Sequence, residues 1–201
     1  MDRPTRVLIN GFGRIGRTIL RQLLTTRPSA GIEVVGINDI AATDLCAYLF
    51  AYDSVFGPFP GQVTTTKDEL VVNGQTFRFS HAPDIATLDL SDIDIVLECT
   101  GIARTCDIAG RGLAAGAGAV LISGPSPAAE VTVVLGANAA ALGNARIVSN
   151  ASCTTNAVAP LRLLEALAPR MAAAGVAACL SSQMGSVSLA RAADMPLYQR
   201  L

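Results

Sequence analysis

The residue best placed for covalent chemistry is Cys153. It lies in the segment 149–156, Ser-Asn-Ala-Ser-Cys-Thr-Thr-Asn, and directly precedes a stretch rich in Ala and Leu at 154–174 that predicts a long helix. A helix N-terminus stabilises a thiolate and lowers the pKa of a cysteine, which favours a nucleophile at this position. A helix capped by Ser or Thr beside a buried, unreactive cysteine would show the same pattern. The residues alone leave both interpretations open.

A glycine-rich segment near the N-terminus has the pattern of a dinucleotide-binding turn. Residues 10–16 read Asn-Gly-Phe-Gly-Arg-Ile-Gly, between a predicted buried strand at 6–10 and a predicted helix at 17–26. In this pattern the first glycine allows the tight turn, the second lets the backbone approach a pyrophosphate, and the third lets the helix pack on the strand. Free amides at the helix start would bind the phosphates. A plain turn between a strand and a helix is the alternative interpretation.

A third candidate is Asp39, which follows a predicted buried strand at 33–38. In dinucleotide-binding folds, an acidic residue about twenty positions beyond the glycine turn hydrogen-bonds the ribose hydroxyls of the adenosine. Its negative charge would also repel the 2′-phosphate of NADP. The combination therefore predicts NAD as the cofactor.

The elements that would position these residues indicate an α/β fold. Continuous apolar runs alternate with helices, as a parallel sheet covered on both faces requires. We predict strands at 6–10, 33–38, 93–99, 119–123, 131–135 and 146–149, and helices at 17–26, 45–51 and 106–115. Alternating segments at 62–67, 69–72 and 76–80, with Asn73-Gly74 between the last two, predict an antiparallel addition. The fold class expected is a Rossmann-type doubly wound, mostly parallel sheet.

The pattern changes after Asn150. We assign residues 1–150 to a NAD-binding domain, and residues 151–201 to the start of an α+β catalytic domain that contains the cysteine helix and a first strand at 176–182. That strand is expected to have no sheet to join. The second domain is therefore predicted to be incomplete.

Composition excludes several classes of function. Lys+Arg number 15 and Asp+Glu number 16, without a basic stripe, so neither nucleic acid nor a membrane surface is an expected partner. Apolar runs are shorter than the roughly 20 residues that span a bilayer, and no signal segment precedes the first strand, which predicts a cytoplasmic protein. His81, in a loop-like context, is not expected to be catalytic. Neither a disulfide framework nor a metal site is expected, because no CxxC pair occurs among Cys46, Cys99, Cys106, Cys153 and Cys179.

Segments 9–17 and 149–156 resemble the signatures of the phosphorylating glyceraldehyde-3-phosphate dehydrogenases. Four shorter motifs follow in matching order, namely Ile-Asn-Asp at 37–39, Tyr-Asp-Ser at 52–54, Glu-Cys-Thr-Gly at 98–101 and Ser-Gly-Pro-Ser at 123–126. The erythrose-4-phosphate dehydrogenase branch shares these motifs and is the close alternative. The resemblance implies NAD-dependent oxidation of a sugar-phosphate aldehyde.

By this resemblance, Cys153 attacks the aldehyde to give a thiohemiacetal, hydride passes to NAD, and inorganic phosphate cleaves the resulting thioester. Ser152 and Thr154 match positions that contact phosphate. The family is homotetrameric, and the oligomeric state of this chain stays open. The cofactor-binding residues predicted by the fingerprint and the resemblance together are Asn10, Gly11, Phe12, Gly13, Arg14, Ile15, Gly16, Asp39, Thr100, Gly101 and Ser123.

The sequence departs from the family pattern at three positions. Met184 stands where the resemblance implies the catalytic histidine, and a thioether cannot accept a proton at neutral pH. Val187 replaces an expected phosphate-binding threonine, and Ala82 an expected arginine near the adenine. Three interpretations stay open: an incomplete or decayed family member with impaired activity, a non-catalytic NAD-binding or regulatory protein, or an enzyme that recruits the missing groups from another chain.

Overall fold

A computed structural model describes residues 3–135 and 137–152, together with the backbone of two short strands further along the chain. The three α-helices within this part of the chain are α1 (Arg14–Thr25), α2 (Thr43–Ala51) and α3 (Cys106–Ala114). The described strands are β1 (Thr5–Asn10), β2 (Ile32–Asn38), β3 (Tyr52–Asp53), β4 (Gly57–Pro58), β5 (Val63–Thr66), β6 (Glu69–Val72), β7 (Gln75–Ser80), β8 (Ile95–Glu98), β9 (Ala119–Ile122), β10 (Val131–Thr132), β11 (Ile147–Ser149), β12 (Val176–Ala177) and β13 (Ala190–Arg191). Short 3-10 helices cover Ile85–Thr87 and Ala139–Leu142.

Nine of the described strands form one sheet in the order β10-β11-β9-β8-β1-β2-β7-β6-β5. The strands from β10 to β7 in this order pair in parallel, and β6 and β5 extend the edge antiparallel. β1 lies at the centre, with β2 on one side and β8 on the other, so the direction of winding reverses there. The α/β fold with a mostly parallel sheet is thus confirmed. Doubly wound sheets bind ligands at the carboxyl end of the strands beside such a reversal.

The core has two layers because the central strands are buried on both faces. From β1, Val7 and Ile9 pack into the layer that includes Leu20 of α1 and Phe50 of α2. Leu8 points to the opposite layer, which includes Ala109 of α3. Continuous apolar runs, rather than alternating ones, are what this double coverage requires.

Several element boundaries differ from the predicted ones. The helix predicted at 17–26 begins at Arg14, because Gly11 completes the turn with a φ of +91° and leaves Gly13 as the N-cap. The strand predicted at 131–135 ends at Thr132. The hairpin of β3 and β4 was not predicted, since two-residue strands carry no periodicity.

The expectation of an unpaired strand at 176–182 was wrong. Val176–Ala177 pairs antiparallel with Ala190–Arg191, so this strand has a partner within the same chain. The helix predicted at 154–174 lies outside the described residues. None of the described helices is long and apolar enough to cross a membrane.

Candidate dinucleotide site

The glycine turn contains Gly11, Gly13 and Gly16, and close packing requires glycine at two of these positions. A Cβ on Gly11 would lie 2.7 Å from the backbone N of Thr100, and the φ of +91° at Gly11 disfavours any other residue. A Cβ on Gly16 would overlap the carbonyl oxygen of Gly11. These contacts hold the start of α1 against the turn and bring the turn to the loop that follows β8.

Gly13 differs from its two neighbours in the motif. A Cβ built on it would meet no described atom within 4 Å, and its φ of −70° is open to any residue. It is the N-cap of α1, so no capping side chain covers the amides at the helix start. A helix start with free amides is an anion-binding site. The space over Gly13 therefore fits the backbone approach that a pyrophosphate needs.

Asp39 joins the end of β2 to the glycine turn. Its Oδ2 accepts a hydrogen bond of 2.6 Å from the backbone amide of Phe12, and its Oδ1 accepts one of 2.8 Å from Ala41. The residue is half-buried, and each carboxylate oxygen can accept more than one hydrogen bond. The arrangement leaves acceptor capacity for ribose hydroxyls.

His81 braces the same loop. Its Nδ1 lies 2.9 Å from the carbonyl oxygen of Asp39, and its Nε2 lies 3.1 Å from the hydroxyl of Thr43. Both ring nitrogens are thus engaged within the protein, which gives His81 a structural role.

The backbone amide of Phe12 donates to Asp39, whereas its side chain belongs to the core. Its side chain is 1% exposed and packs against the rings of Phe50 and Phe79, with centroids 5.9 and 6.0 Å away. The predicted cofactor role of Phe12 is therefore limited to its main chain, because the side chain is part of the core.

Buried polar side chains end the three central strands. The register aligns Asn10 of β1 with Asn38 of β2 and with Glu98 of β8. Asn10 Nδ2 donates to Glu98 Oε2 at 2.5 Å, and Asn38 Nδ2 donates to Asn10 Oδ1 at 2.8 Å. The predicted site residue Asn10 thus uses its side chain inside the protein. No role was predicted for Asn38 or Glu98, although each is a polar residue that ends an apolar strand.

Thr100, Gly101 and Ser123 lie at the same edge. The amide and the hydroxyl of Thr100 both donate to Glu98 Oε1, and the amide of Ser123 donates to the carbonyl oxygen of Glu98 at 2.9 Å. Gly101 is exposed, with a φ of +79°. The structure thus brings these three predicted residues together with the glycine turn and Asp39.

Arg14 and Ile15 line a cleft of about 170 Å³. The other described lining residues come from α1, from the end of α2 and from the hairpin segment 52–56. Asp39 and Ser123 are not among them. The cleft therefore does not connect Arg14 and Ile15 with Asp39 and Ser123. Their connection with the predicted site is their position at the start of α1.

The approach to Cys153 is described as far as Ser152. Ser149 is fully buried and its hydroxyl donates to the carbonyl oxygen of Gly124 at 2.9 Å, while the amide of Asn150 donates to Ile122 at 2.9 Å. These contacts fix the segment that leads to Cys153 beside the loop that carries Ser123. Cys153 and Thr154 themselves lie outside the described residues.

Burial disfavours the nucleophilic thiolate form of two other cysteines. Burial raises the pKa of Cys99 to about 12, with Glu98 adding to the effect and a hydrogen bond from Ser123 opposing it. Burial, followed by the charge of Asp39, raises the pKa of Cys46 to about 11. Cys106 is exposed. Within residues 3–135 and 137–152, no group of three His, Cys, Asp or Glu side chains could hold a metal ion.

Comparison with known proteins places this geometry in a family. Residues 5–106 match the family described as glyceraldehyde 3-phosphate dehydrogenase, NAD binding domain. The chain is 48% identical over 159 residues to glyceraldehyde-3-phosphate dehydrogenase from Pseudomonas aeruginosa, a match that covers 78% of this chain and 48% of that protein. It is 45% identical over 159 residues to the enzyme of that name from Xanthobacter flavus, with 78% and 47% covered. The cytosolic protein of that name from Trypanosoma brucei brucei is 44% identical over 158 residues, with the same coverage. The chain spans about half the length of the curated relatives it matches.

Proposed function

Because the chain belongs to the glyceraldehyde-3-phosphate dehydrogenase family, we propose that it serves NAD-dependent oxidation of a sugar-phosphate aldehyde. The observation that carries the cofactor half of this proposal is the contrast among the three glycines. Gly11 and Gly16 have no room for a side chain, whereas Gly13 faces open space at the start of α1. A pyrophosphate that approaches the backbone at Gly13 would account for a glycine at this middle position.

The cofactor would be held by groups that the fold already places together. The amides at the start of α1 would bind the pyrophosphate, and Asp39 would accept hydrogen bonds from the adenosine ribose. The loops that carry Thr100, Gly101 and Ser123 would line the remainder of the edge. When bound, NAD supplies the hydride acceptor.

The proposed nucleophile is Cys153. Its thiolate would attack the aldehyde carbon, and the thioester that remains after oxidation would be cleaved by inorganic phosphate. Ser152 and Thr154 are the proposed phosphate-contacting residues. Glyceraldehyde 3-phosphate is the proposed substrate, with erythrose 4-phosphate as the alternative.

Turnover is proposed to be impaired by Met184. The thiohemiacetal hydroxyl must lose its proton as the hydride departs, and a thioether cannot take that proton. The same residue favours a second candidate function, a non-catalytic NAD-binding or regulatory protein, because such a role requires no base.

Restoring the base separates these two functions. We expect the wild-type chain to form NADH very slowly from glyceraldehyde 3-phosphate, NAD and phosphate, and Met184→His to be faster by about 10² to 10⁴. Cys153→Ser on the Met184→His background is the matched control and should abolish the gain. NAD binding without any turnover in Met184→His would favour the non-catalytic function instead.

A further inference from the structure

A directed chain of hydrogen bonds crosses the cofactor-facing edge of the sheet. It begins at the backbone of Ala82, continues through the side chains of Asn38 and Asn10, and ends at Glu98 and Thr100. Asn38, Asn10 and Glu98 are 3%, 7% and 3% exposed, so bulk solvent has little access to these contacts. Each polar group in this series of hydrogen bonds must therefore find its hydrogen-bond partner within the protein.

The backbone of Ala82 fixes the direction of the first amide. The Ala82 amide donates to Asn38 Oδ1 at 2.9 Å, and the Ala82 carbonyl oxygen accepts from Asn38 Nδ2 at 3.0 Å. A peptide group cannot exchange its donor for its acceptor. The amide oxygen and nitrogen of Asn38 therefore cannot exchange positions by rotation of the side chain. The hydroxyl of Ser80, which donates to Asn38 Oδ1 at 2.8 Å, agrees with this orientation.

The orientation of the Asn38 amide determines the orientation of the Asn10 amide and the type of group required at position 98. Asn38 Nδ2 is a donor and therefore requires the oxygen of Asn10 on its side. Asn10 must then present its own Nδ2 to residue 98. Position 98 consequently requires an acceptor on the atom that faces Asn10 and a second acceptor on the atom that faces Thr100. Of the protein side chains, a carboxylate of this length meets both requirements.

We propose that Glu98 is a positioning residue for the dinucleotide site. Its Oε1 holds the amide and the hydroxyl of Thr100, directly beside the backbone of Gly11. Its Oε2 holds Asn10, which precedes the glycine turn, and its carbonyl oxygen holds the amide of Ser123. One residue thus sets the relative positions of three segments that would surround the cofactor. This inference rests on the proposed function of the edge as a NAD site.

The polarity requirement can be inverted by exchanging the amide and the carboxylate between positions 10 and 98. Glu98→Gln alone would place an amide NH₂ against the NH₂ of Asn10, and Asn10→Asp alone would place a carboxylate against the carboxylate of Glu98. In the double variant, the new amide at position 98 would donate to the new carboxylate at position 10 and would still accept from Thr100. The carboxylate at position 10 would still accept from Asn38. The double variant keeps the shape and the net charge of the wild-type pair.

The experiment is a double-mutant cycle on the 201-residue chain, with the NAD dissociation constant and the urea midpoint of unfolding as readouts. Leaving a buried donor or acceptor unsatisfied costs enough that each single variant should bind NAD roughly tenfold more weakly. The double variant should recover most of the NAD affinity that each single variant loses.

Each outcome decides one part of the proposal. Single variants that lose stability but bind NAD like the wild type would reduce Glu98 to a structural residue and overturn the positioning role. A double variant no better than the single variants would overturn the polarity argument. If a single variant does not fold, recovery of both folding and NAD affinity in the double variant supports the proposal, and a folded double variant without affinity overturns it. A wild-type protein that does not bind NAD would instead refute the proposed function. The urea midpoints would still test the required order of hydrogen-bond donors and acceptors from Ala82 to Thr100.

Discussion

The carboxylate of Asp39 accepts a hydrogen bond of 2.6 Å from the backbone amide of Phe12, 27 positions earlier in the sequence. This contact joins the end of the second strand to the turn that follows the first strand. It also places a negative charge beside the segment where a dinucleotide would lie. One carboxylate therefore orders the turn and lies where the adenosine ribose is proposed to bind.

Replacement of Asp39 by alanine should reduce the preference for NAD over NADP. The variant removes the charge that repels a 2′-phosphate. We therefore expect the dissociation constant for NADP, divided by that for NAD, to fall by roughly tenfold, which corresponds to about 1.4 kcal/mol. Stability should also fall by about 1 kcal/mol or more, because the Phe12 and Ala41 amides lose their acceptor. The ratio is measured by titration with each cofactor.

Asp44→Ala is the matched control for this selectivity. Asp44 is exposed in the first turn of α2, so the same change of charge should leave the ratio unaltered. An unchanged ratio in Asp39→Ala would show that Asp39 does not determine the preference for NAD over NADP.

The three glycines of the turn should respond differently to alanine. Gly11→Ala and Gly16→Ala should each lower the free energy of unfolding by about 2 kcal/mol or more, because their Cβ atoms would overlap backbone atoms of Thr100 and Gly11 respectively. Gly13→Ala should fold normally and bind NAD at least about tenfold more weakly. Urea unfolding and cofactor titration measure the two effects.

Gly110→Ala serves as the reference substitution for that series. Gly110 lies within α3, where a Cβ would meet no described atom within 4 Å. Alanine there should raise stability by about 0.5–1 kcal/mol without changing affinity for NAD. Normal NAD affinity in Gly13→Ala would contradict the proposed position of the pyrophosphate.

Alkylation at pH 8 should distinguish the cysteines. Cys46 and Cys99 should be the slowest to react with iodoacetamide, because burial raises their pKa values to about 11 and about 12. Cys106 is exposed and supplies the internal reference, and Cys153 is predicted to react fastest. Mass-spectrometric mapping after limited labelling gives the order, with Cys153→Ser as the control. Equal labelling of all five cysteines would refute the prediction of a reactive thiol at Cys153.

Stability should decrease in alkaline solution partly because of Cys46. Its pKa rises from 9.0 to about 11 in the folded chain, mainly through burial. The folded state therefore holds this proton more tightly than the unfolded state, and the associated stability is complete below about pH 9 and is lost as the pH rises to about 11. The urea midpoint of the wild type should fall more between pH 8 and pH 10.5 than that of Cys46→Ala. Parallel curves for the two proteins would show that Cys46 does not contribute.

Local signals in the sequence were sufficient to predict the fold class, the glycine turn and the position of Asp39. Continuous apolar runs report burial on both faces, and the spacing of the three glycines reports a turn between a strand and a helix. The contacts between Glu98 and Asn10, and between Asn38 and Ala82, join residues 88 and 44 positions apart. Such pairs depend on sheet order and register, which single-strand periodicity does not encode. The orientation of Phe12 was missed for the same reason, since its ring packs on Phe50 and Phe79 from other elements.

The most direct measurement is calorimetric titration of the 201-residue chain with NAD and with NADP under identical conditions. The central claim is that the edge formed by Gly13, Asp39, Thr100 and Ser123 is a NAD site. We expect NAD to bind with one molecule per chain and more tightly than NADP, because Asp39 offers acceptors to a ribose and repels a phosphate. The absence of NAD binding by the folded chain, or NADP binding of equal or greater affinity, would contradict the claim.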